Sequence, residues 1–348
     1  MKKHSILSLK VMLICLSFCT ATYAQDDIGN LLTEDIAETK VLIREYISPF
    51  MKSTSLGLNQ GWYNTAKAHK VVGFDLTTTV SLMRIPTSDT WFNVGNLGLQ
   101  HYSLKSDSPG YPNAPTIFGP NEESKFEYRR DPSGPAAPVS LSGPPGLGLE
   151  EEIGANVMPV PMIHLGIGLP KGTDVKVRFV PTLDIQGEGE FKLWGVGVMH
   201  DIKQYIPGIK LLPFDLSGFF GYTKLDLNFD LDTNPTTTQE QDQRGSISMS
   251  ATTIQAVASK KFSVLTLYAG AGYNVAKSNI GLKGHYDLNG DGDTNDEFEK
   301  NPIDLDFSAS GPRVTAGFRL KLAVFTLHAD YTVQKYQAIT AGFGINVR

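Results

Sequence analysis

Between Asp287 and Glu297 the chain reads Asp287-Leu-Asn289-Gly-Asp291-Gly-Asp293-Thr-Asn295-Asp296-Glu297, with a side-chain oxygen at every second position from Asp287 to Asn295. This is calcium-loop spacing: roughly six to eight oxygens must converge on one centre, and Gly292 permits the tight turn that brings them round. The position that normally supplies a bidentate glutamate is Phe298, so Glu297 or Glu299 would serve only after a shift of one residue. The competing reading is a solvated acidic turn. We therefore expect Asp287, Asn289, Asp291, Asp293 and Asn295 to hold a structural Ca2+ ion in an outer loop, with no catalytic role.

A second set of ionisable residues alternates with apolar neighbours: Asp75, Lys176, Arg178, Asp184, Lys224, Asp226, Asp304, Asp306, Arg313, Arg319, His328 and Asp330. Alternation puts them on one face of their strands, and the mixed signs suit internal ion pairs. In a closed barrel such residues either line a narrow path or cross-link the interior shut. Enzymatic chemistry has little support, because the chain has no Gly-x-Ser-x-Gly elbow, no His-Glu-x-x-His pair and no phosphate-binding glycine loop. His164, His200, His285 and His328 stand far apart in sequence.

The elements that must carry these residues are strands. Ile339, Ala341, Phe343, Ile345 and Val347 alternate with Thr340, Gly342, Gly344 and Asn346, while Val314, Ala316, Phe318 and Leu320 alternate with Arg313, Thr315, Gly317 and Arg319. An apolar face repeated along consecutive hairpins, opposite a charged one, fits strands that meet lipid on one side and a polar lumen on the other. Strands are expected near 55–63, 71–84, 91–104, 155–169, 174–185, 189–200, 214–231, 246–259, 263–284, 303–321, 323–334 and 337–347. The predicted fold is all-β, a transmembrane antiparallel barrel of about 12 strands (range about 10–14), and the usual even count supports the weak strand at 55–63. Short connections near 85–90, 170–173, 207–213, 260–261 and 321–322 should face the periplasm, and those at 105–154, 232–245 and 285–302 the exterior.

Residues 27–48 read as an amphipathic helix, with Ile28, Leu31, Leu32, Ile36, Leu42, Ile43 and Ile47 at three- and four-residue spacing and Pro49 as its stop. It would either cover the periplasmic mouth or plug the barrel, since a free helix would leave its apolar stripe in water. The proline-rich stretch from Lys105 to Glu152 should be irregular over much of its length, as a lid or as a surface loop.

Lys2, Lys3 and His4, the apolar run from Ile6 to Phe18 and Thr22-Tyr23-Ala24 read as a cleaved secretory signal. Both cysteines, Cys15 and Cys19, lie within it, which leaves no thiol chemistry downstream. Cleavage would also remove Lys2, Lys3 and Lys10 and no acid, taking the formal charge from −5 to −8. A mildly acidic chain without a basic tract does not suit nucleic acid. The expected organisation is a signal at 1–24, a helical plug or mouth cover at 25–54 and a barrel at 55–348 in the outer membrane of a Gram-negative bacterium.

Three runs carry a resemblance: Gly57-Leu-Asn-Gln-Gly-Trp-Tyr-Asn-Thr-Ala-Lys-Ala-His-Lys-Val-Val-Gly-Phe-Asp-Leu76, Gly166-Ile-Gly-Leu-Pro-Lys-Gly-Thr-Asp-Val-Lys-Val-Arg-Phe-Val-Pro181 and Gly195-Val-Gly-Val-Met-His-Asp-Ile-Lys-Gln-Tyr-Ile-Pro-Gly208. Together they resemble a family of outer-membrane barrels common in Bacteroidota. More distantly, the chain is similar to long-chain fatty-acid channels, which hold an amino-terminal plug inside the barrel. The resemblance implies binding or passage of a hydrophobic or amphipathic small molecule, with outer-membrane lipid as surroundings, and transfers no site residue. The alternative is a closed structural or surface-interaction barrel without transport. One departure is the carboxyl-terminal Arg348, where such barrels often end in an aromatic residue, although Phe343 lies close by.

Overall fold

The computed structural model describes residues 35–184, 189–230, 243–288, 291, 293, 294 and 296–347. The expected signal at 1–24, residues 27–34 of the expected helix, Asn289 and Asn295 of the acidic run and the Asp184 side chain lie outside the described residues. The chain passes from helix α1 (Ile36–Gly57) into strand β1 (Phe74–Arg84). A long connection follows, carrying β2 (Trp91–Asn93), β3 (Tyr102–Leu104), β4 (Asn113–Pro115), β5 (Ser124–Tyr128), β6 (Val139–Gly143) and helix α2 (Leu149–Ile153). Then come β7 (Val157–Leu169), β8 (Thr173–Asp184), β9 (Gly189–Asp201), β10 (Asp215–Asp230), β11 (Arg244–Phe262), β12 (Leu265–Lys283), β13 (Ile303–Leu322), β14 (Phe325–Val333) and β15 (Ala338–Val347).

Strands β1 and β7 to β15 form a closed antiparallel barrel of ten strands, in the order β1-β15-β14-β13-β12-β11-β10-β9-β8-β7. Closure leaves no sheet edge in hydrocarbon, which a membrane requires. Two of the twelve expected strands are absent from it. Residues 55–63 are the end of α1 and the turn after it, and 91–104 holds β2, a 3-10 turn and β3, all outside the barrel. Losing both keeps the count even, so parity could not detect the error. With 91–104 removed, the 85–90 connection joins the long outer one instead of facing the periplasm.

The strands differ in height. Strand β13 has 20 residues and β12 has 19, whereas β14 has 9. At about 3.3 Å per residue and a tilt near 40°, twenty residues rise roughly 50 Å, twice the ~25 Å apolar band of such barrels. One wall therefore projects far beyond the bilayer, and its chemistry inverts where it leaves. On β13 the outward Val314, Ala316, Phe318 and Leu320 give way to outward Asp304, Asp306, Ser308 and Ser310, while inward Arg313, Thr315 and Arg319 give way to inward Ile303, Leu305, Phe307 and Ala309. The phase of the strand is unbroken; only the solvent changes. Strand β12 switches likewise after Val275, at Lys277, and β10 after Tyr222, at Lys224. Trp194 and Tyr222, with ring centres 5.3 Å apart, lie at that boundary, and Phe325 and Phe343, 6.0 Å apart, lie near the end bearing the short turns.

This inversion corrects part of the expected lumen. Asp226, Lys224, Asp304 and Asp306 point outward above the band. Asp226 pairs with Lys224 at 3.5 Å and accepts from Ser248 Oγ at 2.8 Å, while Asn279 Nδ2 donates to Asp304 at 2.6 Å and Asp306 at 2.9 Å. Above the membrane the outside is water, so charge moves out and apolar side chains move in.

That apolar upper chamber is filled by α1. Asp35 caps the helix by accepting from Glu38 N at 3.1 Å, and Pro49 lies within the helix instead of ending it. Proline removes one N–H and frees one carbonyl. Burial of Met51, Leu56 and Leu58 against Met83, Met158, Val160, Met249, Leu305 and Phe307 holds the following turns in place. The amino-terminal half of α1 packs on the 85–156 connection through Leu42 against Val94, Tyr102, Phe126 and Tyr128. The expected irregular loop is thus a cap of two small sheets, β2-β4 and β3-β5-β6, and the helix occupies the outer half of the barrel and not the periplasmic mouth.

The two-solvent reading predicts a contrast along one face of β13. Ala316→Arg should destabilise the folded barrel in bilayers by about 2–4 kcal/mol, whereas Ser308→Arg should stay within about 0.5 kcal/mol. Denaturant unfolding in lipid vesicles measures both, and equal effects would refute the boundary at Gly311 and Pro312.

Candidate functional site

The chain after α1 crosses the lumen as Leu58-Asn59-Gln60-Gly61-Trp62-Tyr63, with Leu58, Asn59, Gln60 and Trp62 all at most 1 % exposed. Two arginines hold it. Arg178 on β8 donates from Nη1 to Leu58 O at 2.6 Å and from Nη2 to Gln60 O. Arg313 on β13 donates from Nη1 to Asn59 O at 3.0 Å and from Nη2 to Gln60 Oε1 at 2.8 Å. In the ring of ten strands β8 and β13 stand five places apart, so the two guanidinium groups reach in from opposite walls. The helix end leaves carbonyls without intrahelical donors, and planar multi-donor guanidinium groups suit them.

Neither arginine makes an ion pair among the described residues. Arg178 lies over the Trp62 ring, with Cζ 3.6 Å from the ring centre, and also donates to Thr223 Oγ1 at 3.3 Å, while Arg313 is shared with Thr315 and Thr332. Carbonyl and hydroxyl dipoles and one aromatic face are therefore what these residues offer two buried cations.

Trp62 and Tyr63 need space, and inward glycines provide it. A Cβ on Gly197 of β9 would lie 3.0 Å from the Trp62 ring, one on Gly221 of β10 would lie 2.9 Å from Trp62 Nε1, and one on Gly270 of β12 would collide with the Tyr63 hydroxyl. Gly61 has φ +69°, a conformation glycine adopts without strain. Tyr63 donates to Gln255 Oε1 at 2.6 Å. Two of the quoted sequence runs are thus the halves of one fit: Gly61-Trp62-Tyr63 is the knob and Gly195-Val-Gly197 part of its seat.

Towards the end bearing the short turns the plug is pinned by polar contacts. His69 holds Asp174 through N and Nδ1, both at 2.8 Å, and lies 3.5 Å from Asp75. Asp75 also meets Lys176 at 3.3 Å and His164 at 3.4 Å. Asp330 accepts from Tyr268 at 2.8 Å, His328 approaches Asn64 at 3.5 Å, and Arg319 is buried and faces inward. Asp75, Lys176, Arg178, Arg313, Arg319, His328 and Asp330 thus share the lumen, and Asp226 does not. Sequence reasoning missed Gln60, Trp62, Tyr63 and His69, whose signal was the unusual Gly-Trp-Tyr run, and Asp174, which shares a face with Lys176 and Arg178.

At the outer end Asp35, Glu38 and His101 cluster within 4.8 Å of one another. Every carboxylate oxygen there already has an N–H donor: Asp35 takes Glu38 N and His101 Nδ1, and Glu38 takes the backbone N–H groups of Gln100, His101 and Tyr102. This is a latch between α1 and the cap. Beside it Leu42, Ile43, Tyr46, Phe92, Phe126 and Pro144 line an apolar cleft with about 20 Å3 of free volume. Of the five expected calcium ligands, Asp287, Asp291 and Asp293 are described, and they lie on the β12–β13 connection at the outer end, far from the plug in sequence.

Residues 1–347 match a protein family described as a family of unknown function, DUF6588. The chain belongs to it. No curated protein matches the sequence. Among solved structures, the DUF6588 chain is similar to the attachment invasion locus protein Ail of Yersinia pestis, determined with the heparin analogue sucrose octasulfate, at 9 % identity and TM-score 0.27, covering 79 % of this chain and 97 % of that one. The translocator domain of the autotransporter NalP from Neisseria meningitidis gives 10 % identity, TM-score 0.27 and coverage of 86 % and 93 %. The monoaromatic hydrocarbon channel CymD gives 9 %, 0.18 and coverage of 87 % and 98 %. Likeness this low says nothing of activity. The closed ten-stranded barrel with its apolar belt is an outer-membrane β-barrel.

Arg178→Met should leave Gln60 O without its donor and Leu58 O with only Thr223 Oγ1 at 3.3 Å, at a cost of about 1–3 kcal/mol, read as an earlier loss of heat-resistant gel mobility. A second expectation concerns the latch. Burial acts to raise the Asp35 carboxyl, but the His101 hydrogen bond and the Glu38 N–H outweigh it and leave it below its ordinary 3.8. A depressed carboxyl stabilises the latch fully above 3.8 and loses that contribution as pH falls through its lowered value. Protease access to the first turn of α1 should therefore rise on acidification below 3.8, and Asp35→Asn should show raised access already at neutral pH with the pH dependence removed.

Proposed function

We propose that this barrel binds an amphipathic small molecule with an apolar body and an anionic or acceptor head, and that α1 with its following turn occupies that site in the resting protein. One observation carries the reading: two buried cations from opposite walls, without carboxylate partners among the described residues, grip the oxygens of a neutral plug beneath an apolar chamber. A ligand carboxylate would give these arginines the charge-assisted partner that backbone oxygens lack. The apolar cleft between α1 and the cap is the natural point of first contact. Passage follows only if the plug leaves, because the polar lumen below Trp62 is filled in the resting state.

The test compares dodecanoate with dodecanol on the purified full-length protein by native mass spectrometry. Dodecanoate should bind the more tightly, and the preference should vanish in Arg178→Met/Arg313→Met. Equal occupancy by both in the unmodified protein would refute the site. Deleting residues 36–70, which removes α1 and the turn held by Arg178, Arg313 and Asp174, should raise conductance in planar bilayers; an unchanged conductance in a folded barrel would favour the closed structural or surface-interaction reading.

A further inference from the structure

The β12–β13 connection has a closed neck. His285 bridges Lys300, Asn301 N donates to Gly284 O at 2.9 Å, and Tyr286 N donates to Glu299 O at 3.1 Å. A single 3-10 turn over Glu297–Glu299 then sorts the side chains: Phe298 is 46 % exposed and Glu299 is 0 % exposed. Glu299 Oε1 accepts from Leu288 N at 3.1 Å, which brings the carboxylate against the second residue of the acidic run, and Oε2 is enclosed without a hydrogen-bond partner. A buried carboxylate oxygen with no donor is rare in native proteins and calls for a missing partner. Asp293 N donates to Asp291 Oδ1 at 2.7 Å, so the run already turns back on itself.

We propose that Glu299 is the closing ligand of a calcium site formed with Asp287, Asp291 and Asp293. The sequence places Phe298 where a calcium loop needs its bidentate glutamate; the 3-10 turn turns Phe298 out and carries the next residue in. The loop carboxylates are not gathered within 4.8 Å of one another as Asp35, Glu38 and His101 are, among the described residues. Binding therefore draws the aspartates onto the buried Glu299. The all-oxygen donor set suits Ca2+ above Mg2+, which demands near-ideal octahedral geometry. The cluster at Asp35 marks the contrast, since each of its oxygens has a donor and Glu299 Oε2 has none.

The experiment uses the full-length protein in detergent micelles, with Tb3+ luminescence excited through tyrosine and displaced by Ca2+, and with protease protection of residues 285–302 as a second readout. Extracellular calcium modules bind at about 10⁻⁴–10⁻³ M, and half-displacement is expected in that range. Glu299→Gln should weaken binding at least tenfold while heat-resistant gel mobility persists. Wild-type-like affinity in Glu299→Gln overturns the assignment, as does equal protection of the unmodified protein with and without about 10 mM Ca2+, a tenfold excess over that range. If Glu299→Gln does not fold, Asp291→Asn/Asp293→Asn decides: loss of protection supports the site, and unchanged protection overturns it.

Discussion

Two guanidinium groups held by backbone oxygens at the centre of a barrel are the constraint around which the rest is arranged. Arg178 and Arg313 reach Leu58, Asn59 and Gln60 from opposite walls, so the plug must cross the axis at that height. The acceptors exist because a helix ends there. Gly61 must turn the chain, Trp62 must lie against Arg178, and Gly197 and Gly221 must stay small so that Trp62 fits. Removing a charge from water costs far more than one neutral hydrogen bond returns, so such an arrangement is poor as a stability device. It makes sense where the buried charges have a second use, which is the ground for reading the plug as a resident substitute for a ligand.

The membrane supplies the other half of the design. Below the boundary the outside is lipid, so apolar side chains face out and the polar lumen must satisfy itself through Asp75, Lys176, His69 and Asp174. Above it the outside is water and the same strands carry an ordinary apolar core inward. The amphipathic α1 has a place only because of that upper chamber. A barrel cut to membrane height would offer the helix a polar lumen and no partner for Met51, Leu56 and Leu58.

The strands with strong alternation were legible in the sequence because period two survives whatever the solvent. What failed was the rule that polar means inside. On β13 Asp304 and Asp306 are as polar as Arg313, yet they lie on the opposite face, and only the odd or even position of each residue within the continuous strand reveals it. The 55–63 stretch is ambiguous in sequence because Leu56, Leu58 and Trp62 are apolar at every second or fourth position, a pattern shared by a strand and by a helix end running into a turn. Local rules make Pro49 a helix stop, because they ignore the lumen that packs the next two turns. Arg178 and Arg313 were recognised as lumen residues; that they share one target was invisible, because nothing in the sequence places β8 opposite β13.

The tension between holding and releasing the plug sets what a ligand must do. A ligand shifts the resting arrangement only by as much as it binds the plug-free lumen better than the plugged one. Among the contacts that hold the plug are five from the two arginines to residues 58–60 and 62 and the His69–Asp174 pair. Those contacts fall into two groups, one at the arginines and one near the end bearing the short turns. Displacing Leu58 to Gln60 while His69 stays bound would free the arginines without releasing the chain from the barrel. A carboxylate on Arg178 and Arg313 competes with the first group alone. The seat is thus divided so that the chemistry of the head group acts where the plug is held by neutral oxygens, and the plug's return is secured where it is held by charge.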